Sequence, residues 1–103
     1  GEKMKPSEYI RQGWCQGDFA KDAHGHHAYY AGNTATQWCV MGAIGAAYPS
    51  DAPEASNKRA TVLKKLEHTL FVLNGNNISL KTWNDDPNQT KEGIIAILEL
   101  IGE

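Results

Sequence analysis

The chain has 103 residues, with 10 Lys and Arg against 12 Asp and Glu, so its formal charge at neutral pH is −2. This balance excludes the global basic field that holds a phosphate backbone. The longest nearly apolar run covers residues 38–48 and is too short to span a bilayer. Length, composition and the lack of a signal-peptide pattern predict one domain over 1–103, cytoplasmic and without a membrane partner.

The N-terminal third predicts a short helix followed by a small β-hairpin. Pro6 suits a first helical turn and Gly13 suits a helix end, so a helix is expected over about residues 5–13. Residues 18–30 are typical of an extended chain with a tight turn at Gly25, because glycine adopts positive φ without steric cost. An irregular loop with one glycine turn is the alternative for this stretch.

A second helix is predicted over residues 34–48, capped by Asn33 or Thr34. Apolar side chains cover nearly every face of this helix, which is typical of a buried central helix. Gly42 and Gly45 each cost about 1 kcal/mol of helix propensity relative to alanine. We therefore expect another part of the chain to pack closely against them.

The C-terminal half predicts two amphipathic helices, over 57–73 and over 90–101, joined by a short turn over 79–83. Thr90 is the expected cap of the last helix. The stripe of the third helix consists of Leu63, Leu66, Leu70 and Leu73. The fold class is therefore mainly α, a compact domain of about four helices with a small β-hairpin between the first and the second.

Two cysteines, Cys15 and Cys39, are too few for the disulfide framework of a small secreted domain. Buried thiols are the expected state, and a disulfide is the alternative. Cys39 is expected in the middle of the second helix, away from a helix N-terminus, where packing is a more frequent role than catalysis.

Three histidines, His24, His26 and His27, cluster with Asp22 and near Cys15, and such side chains together can hold a transition metal. The spacing lacks a second ligand pair at a zinc-motif distance. An exposed polar turn, with neither a metal site nor a cofactor, is therefore the prediction.

The third helix carries a basic stretch, for which a solvated helix face is a more frequent role than a nucleic-acid contact. Nucleic acid is therefore an unexpected partner. The stretch consists of Lys58, Arg59, Lys64 and Lys65.

Each of the three tryptophans has polar residues next to it, and a buried indole needs a partner for its N–H. The first interpretation is one aromatic core, in which Trp14 pairs with Gln16, Trp38 with Gln37, and Trp83 with Asn84 and Asp85. The second is a ligand pocket walled by the indoles and floored by polar side chains. The candidate ligand-binding residues are Trp14, Gln16, Trp38, Cys39, Trp83, Asn84 and Asp85.

The tryptophans also belong to three segments in a fixed order: Gly13-Trp14-x-Gln16-Gly17 with Ala20, Trp38-Cys39-x-x-Gly42-Ala43, and Trp83-Asn84-Asp85 with Thr90. Over about residues 13–98 the chain resembles a family of small proteins of unknown function from bacteria and bacteriophages. The resemblance implies an intracellular protein whose shared segments serve the fold or a site, and it implies no activity. Cys15 stands where the family pattern has threonine, and the histidine turn lies outside the segments.

These observations predict a non-catalytic binding or interaction module whose partner is a small molecule or a protein. No nucleophile, base and orienting group stand at a spacing that requires catalysis. A small enzyme using Cys39 or Asp85 with a histidine is the first alternative, and a nucleic-acid-linked regulator is the second.

Overall fold

Five helices and one antiparallel pair of strands make up the computed structural model, which describes residues 4–49, 51 and 53–103. The Cα radius of gyration is 12.9 Å, as expected for a compact chain of this length. The predicted fold class is confirmed, and the additional helix is the expected turn over 79–83. The elements are α1 (Pro6–Gln12), β1 (Ala20–Lys21), β2 (Gln37–Trp38), α2 (Val40–Ala47), α3 (Pro53–Asn74), α4 (Leu80–Asp85) and α5 (Lys91–Leu100).

The region 18–30 contains the predicted tight turn, but β1 does not form a regular strand pair with the residues that follow this turn. Gly25 has a φ of +80° and donates its N–H to Asp22 O at 3.0 Å, so the tight turn is confirmed. Within 18–30 the pairing is limited to an isolated antiparallel bridge between Lys21 and His27. Its hydrogen bonds run from Ala28 N to Ala20 O (3.0 Å) and from Asp22 N to His26 O (2.8 Å). The regular partner of β1 is β2, in antiparallel register.

The prediction that the second helix begins near residue 34 is wrong, because α2 begins at Val40 and Cys39 is its N-cap. The backbone N–H groups of the preceding residues donate to distant carbonyls and leave that segment extended. Thr36 N bonds to Lys21 O, Trp38 N to Gly13 O and Cys39 N to Phe19 O, at 2.9–3.1 Å.

Helix α2 lies at the centre of the core, as predicted, and packs against α1, α3 and α4. The expected close approach to its glycines is confirmed. A Cβ on Gly42 would lie 1.9 Å from the Phe19 carbonyl oxygen, and one on Gly45 would lie 2.6 Å from the Tyr30 ring. The chain at Phe19 and the ring of Tyr30 therefore lie directly against the backbone of this helix.

Helix α3 begins at Pro53 rather than at the predicted residue 57, and its predicted leucine stripe is buried only in part. In α3, Leu66 and Leu70 are buried, whereas Leu73 is 57% exposed. Helix α4 is capped by Ser79 Oγ, and α5 is capped by Thr90 Oγ1 as predicted, at 2.9 Å from Gly93 N. Within the described ranges, no helix combines the length and apolar character needed to cross a membrane.

Candidate functional site

Two extended segments, residues 13–15 and 37–39, run side by side just before the start of α2. Trp14 and Trp38 form a parallel bridge, closed by hydrogen bonds from Trp38 N to Gly13 O (2.9 Å) and from Cys15 N to Trp38 O (3.2 Å). In a regular parallel ladder the next bond would run from Val40 N to Cys15 O. That bond is replaced by a side chain from α4.

Asn84 inserts its carboxamide at this point of the ladder. Its Nδ2 donates to Cys15 O at 3.1 Å, and its Oδ1 accepts from Val40 N at 3.0 Å and from Trp14 Nε1 at 2.9 Å. The side chain is 1% exposed. A carboxamide carries both a donor and an acceptor, so Asn84 replaces one peptide group of the ladder and locks α4 to both segments.

Further hydrogen bonds hold the end of α4 against the same loop. Gln16 Nε2 donates to the carbonyls of Asn84 (3.0 Å) and Asp86 (2.9 Å), which lie where a helix end leaves carbonyls without partners. Asp85 Oδ1 accepts from Gly17 N at 3.1 Å and from Asn84 Nδ2 at 2.9 Å. Through these bonds the Trp83-Asn84-Asp85 motif is tied to the chain near Trp14 and Gln16.

The tryptophans pack with the core, but two of the expected indole partners are wrong. Trp14 uses Asn84 rather than Gln16, and Trp38 Nε1 donates to Tyr30 O at 2.9 Å rather than to Gln37. Trp83 is half-buried against the core.

A cleft of about 720 Å³ opens between the loop 17–19, the start of α2, α3 and α4. Among the predicted site residues, Cys39, Asn84 and Asp85 line it, whereas Trp14, Gln16, Trp38 and Trp83 lie outside its lining. Sequence reasoning missed its apolar walls, which are Phe19, Val40, Met41, Leu63 and Leu80. It also missed five polar lining residues, which are Asp18, His27, Glu67, Ser79 and Lys81.

Cys39 is a buried thiol, as predicted, but it stands at a helix N-terminus rather than in mid-helix. Its Sγ accepts from Gly42 N at 3.3 Å. Burial raises the pKa of the Cys39 thiol, and this effect exceeds the opposing effect of the helix N–H groups. Burial, together with neighbouring Cys39, raises the pKa of Cys15 to about 11. Both cysteines are free thiols.

The turn that carries His24, His26 and His27 is exposed, as predicted, and the Asp22 carboxylate stabilises its backbone. Asp22 Oδ1 accepts from the backbone N–H groups of His26 (3.0 Å) and His24 (2.9 Å), and these bonds hold the pKa of Asp22 below its usual range. His27 Nδ1 lies 3.4 Å from Asp18 Oδ1, and both residues line the cleft. Across the residues with described placement, no three potential metal ligands gather.

The basic stretch of α3 is largely solvated, as expected for a helix face. Lys64 and Lys65 are exposed. Lys58 Nζ lies 3.5 Å from Oε2 of Glu103, whose other carboxylate oxygen accepts a hydrogen bond from the Tyr48 hydroxyl. Burial, together with this hydrogen bond, raises the pKa of Tyr48. One of the four basic groups therefore neutralises a buried carboxylate.

Comparison with known proteins identifies the class to which this fold and site belong. A family model described as a family of unknown function, DUF6197, matches residues 7–101. The chain belongs to this family. Searches among curated proteins and among solved structures gave no match. Because the family carries no described activity, any function must be argued from the site itself.

Proposed function

We propose that this chain is a non-catalytic binding module whose small-molecule ligand occupies the cleft beside Cys39, Asn84 and Asp85. The carrying observation is that these three residues, from two motifs far apart in the chain, line one largely apolar cleft of about 720 Å³. Small-molecule sites typically have about 300–1,000 Å³, apolar walls and a few convergent polar groups. The proposal includes the cytoplasmic location and the bacterial or phage origin that the resemblance implies.

The polar wall of the cleft is held rigidly, which favours binding because little side-chain entropy remains to be lost. Asn84 is fixed by four hydrogen bonds to four different residues. Asp85 is fixed through Oδ1 alone, and among the described residues its Oδ2 has no hydrogen-bond partner. This oxygen is the acceptor that we assign to the ligand.

Charge around the cleft favours a cationic or hydrogen-bond-donating ligand. Three carboxylates line it, on Asp18, Glu67 and Asp85, and Lys81 supplies the opposing charge. His27 lies beside Asp18 and partly balances it when protonated. Such an excess of one sign attracts ligands of the opposite sign. The ligand class is therefore an apolar body with an amine or similar donor at one end.

Benzylamine is a minimal probe of this class, and benzoate is its matched anion. In ¹⁵N-labelled protein, we expect benzylamine to shift the amide resonances of Val40, Leu80 and Asp85 saturably, and benzoate to bind more weakly. Asp85→Asn keeps an acceptor for Gly17 N but removes the charge, so it should weaken benzylamine binding about fivefold to tenfold while the protein stays folded.

Asp86→Asn is the control, because Asp86 is exposed and lies outside this cleft. Its affinity for benzylamine should match that of the wild type. Absence of saturable shifts at the cleft, or equal affinity of wild type and Asp85→Asn, would count against the proposal.

A small cysteine enzyme is the second candidate, because Cys39, His27 and Asp18 line the same cleft and Asp18 lies beside the imidazole. Nucleophilic catalysis by a cysteine uses a thiol nucleophile, a base that activates it and a group that orients the base. The raised pKa of Cys39 favours binding over catalysis. Slow iodoacetamide labelling of native Cys39, accelerated by denaturant, is expected for the binding module. Fast native labelling that His27→Ala slows would indicate the enzyme.

A further inference from the structure

Cys15 and Cys39 occupy matching positions on the two extended segments. Each directly follows one partner of the parallel bridge between Trp14 and Trp38, and the hydrogen bond from Cys15 N to Trp38 O closes that bridge at 3.2 Å. Successive side chains of an extended chain point to opposite faces. The residues that follow a parallel pair therefore project from the same face, next to each other.

The backbone spacing suits a covalent link between the two sulfurs. Neighbouring strands lie about 4.8 Å apart, and disulfides join Cα atoms at about 4.4–6.8 Å. The Asn84 carboxamide separates the segments only at the next bond, between Cys15 O and Val40 N. Cys39 is also the largest contributor after burial to the raised pKa of Cys15, as expected for adjacent thiols.

We propose that Cys15 and Cys39 form a dithiol modification site, which an oxidant of the peroxide or small-disulfide class converts reversibly into an intramolecular disulfide. With hydrogen peroxide, one cysteine loses its proton and attacks a peroxide oxygen, the O–O bond breaks, and a sulfenic acid and water form. The second thiol attacks the sulfenic sulfur, the S–S bond forms, and the hydroxyl leaves as water with the second proton. The two sulfurs together lose two electrons, which reduce the peroxide. With oxidised glutathione, one cysteine thiolate attacks its S–S bond and releases one glutathione thiol, and the second cysteine attacks the mixed disulfide and releases the other. The same two electrons then reduce the glutathione disulfide.

The disulfide would join the loop after α1 to Cys39, the N-cap of α2. Because Cys39 lines the cleft and Cys15 does not, oxidation would replace a thiol in the cleft wall by one sulfur of a cross-link. This inference does not depend on the ligand proposed above, since it concerns the two sulfurs alone. Buried, protonated thiols react slowly, so the decisive measurement is an equilibrium rather than a rate.

Wild-type protein is equilibrated with defined mixtures of oxidised and reduced glutathione, in native buffer and in concentrated guanidinium, and quenched with acid. Mass spectrometry then counts chains that have lost two hydrogens. The folded chain should show an oxidised-to-reduced ratio at least about tenfold above that of the denatured chain, because folding holds the sulfurs together. An equal or lower ratio in the folded chain would overturn the proposal.

Cys15→Ser and Cys39→Ser are the controls. Neither should lose two hydrogens under the same conditions, because each retains only one thiol. A loss of two hydrogens in either variant would assign the oxidation to another group and would also contradict the proposal. The main comparison uses the wild-type chain and does not require either variant to fold.

Discussion

Asn84 meets a requirement that few side chains satisfy. At one point it must donate to Cys15 O and accept from Val40 N and Trp14 Nε1. Aspartate provides acceptors only, and its charge would lie in a site that is almost fully enclosed. Alanine would leave three polar groups without their partner, each at a cost of about 1–3 kcal/mol if it stays buried.

Asn84→Ala should therefore lower the free energy of unfolding by about 3–5 kcal/mol. Asn84→Asp should be comparably destabilising, because it combines a lost donor with a buried charge. Urea denaturation at neutral pH measures both. Asn88→Ala, at an exposed position a few residues away, should stay within about 0.5 kcal/mol of the wild type. A loss below about 1 kcal/mol for Asn84→Ala would show that the ladder does not need the carboxamide.

At this scale the sequence indicates that the indoles need polar partners, but not which partners they find. Trp14 bonds to a residue 70 positions away, and Trp38 bonds to a backbone carbonyl. Neighbours in sequence, such as Gln16 and Gln37, are poor guides because tertiary packing decides which polar atom faces each ring. Asn84 and Asp85 were candidate residues from the sequence, but their bonds to Trp14, Gln16 and Gly17 come from tertiary packing.

At the scale of elements, the start of α2 shows where periodicity fails. Residues 34–39 lead into the apolar run over 38–48 and were expected to be helical. The N–H groups of Thr36, Trp38 and Cys39 bond instead to carbonyls at Gly13 and in the stretch 19–21. The cap that replaces the expected one is a cysteine, a weak sulfur acceptor that is not among the usual N-cap residues. No local pattern therefore marks Val40 as the first helical residue.

Gly42 gives a direct test of the packing on α2. Alanine there would gain about 1 kcal/mol of helix propensity, but its Cβ would meet the Phe19 carbonyl oxygen at 1.9 Å, and a backbone atom cannot swing aside. Gly42→Ala should therefore lower the free energy of unfolding by about 2–4 kcal/mol.

The comparison variant is Gly45→Ala, whose Cβ would meet the edge of the Tyr30 ring instead. Because a side chain can rotate away, its loss in urea denaturation should be smaller than that of Gly42→Ala. Equal stabilities for Gly42→Ala and the wild type would mean that the loop at Phe19 yields easily, contrary to this account.

For the whole molecule, amphipathic spacing was sufficient to predict α5, the fold class and all of α3 except its first turn. Three members of the candidate site, Cys39, Asn84 and Asp85, were also predicted and share one cleft. The apolar walls of the cleft were not predicted, because Met41, Leu63 and Leu80 resemble ordinary core residues and come from three helices. Whether such side chains fill a core or line a cleft depends on how those helices pack, and no local pattern carries that information.

If the cleft holds a ligand, as we propose, then filling the cleft with a side chain should weaken binding. This substitution is the most direct test. Met41 is half-buried and lines the cleft, so Met41→Trp should occupy part of its volume and change stability by no more than about 1 kcal/mol. Leu100→Trp, at an exposed position outside the cleft, is the matched control.

The measurement is the affinity of each variant for benzylamine, taken from amide shifts. We predict at least about tenfold weaker binding for Met41→Trp, and binding within about twofold of the wild type for Leu100→Trp. Unchanged affinity in a folded Met41→Trp protein would show that the cleft is not where the amine binds, and would contradict the account.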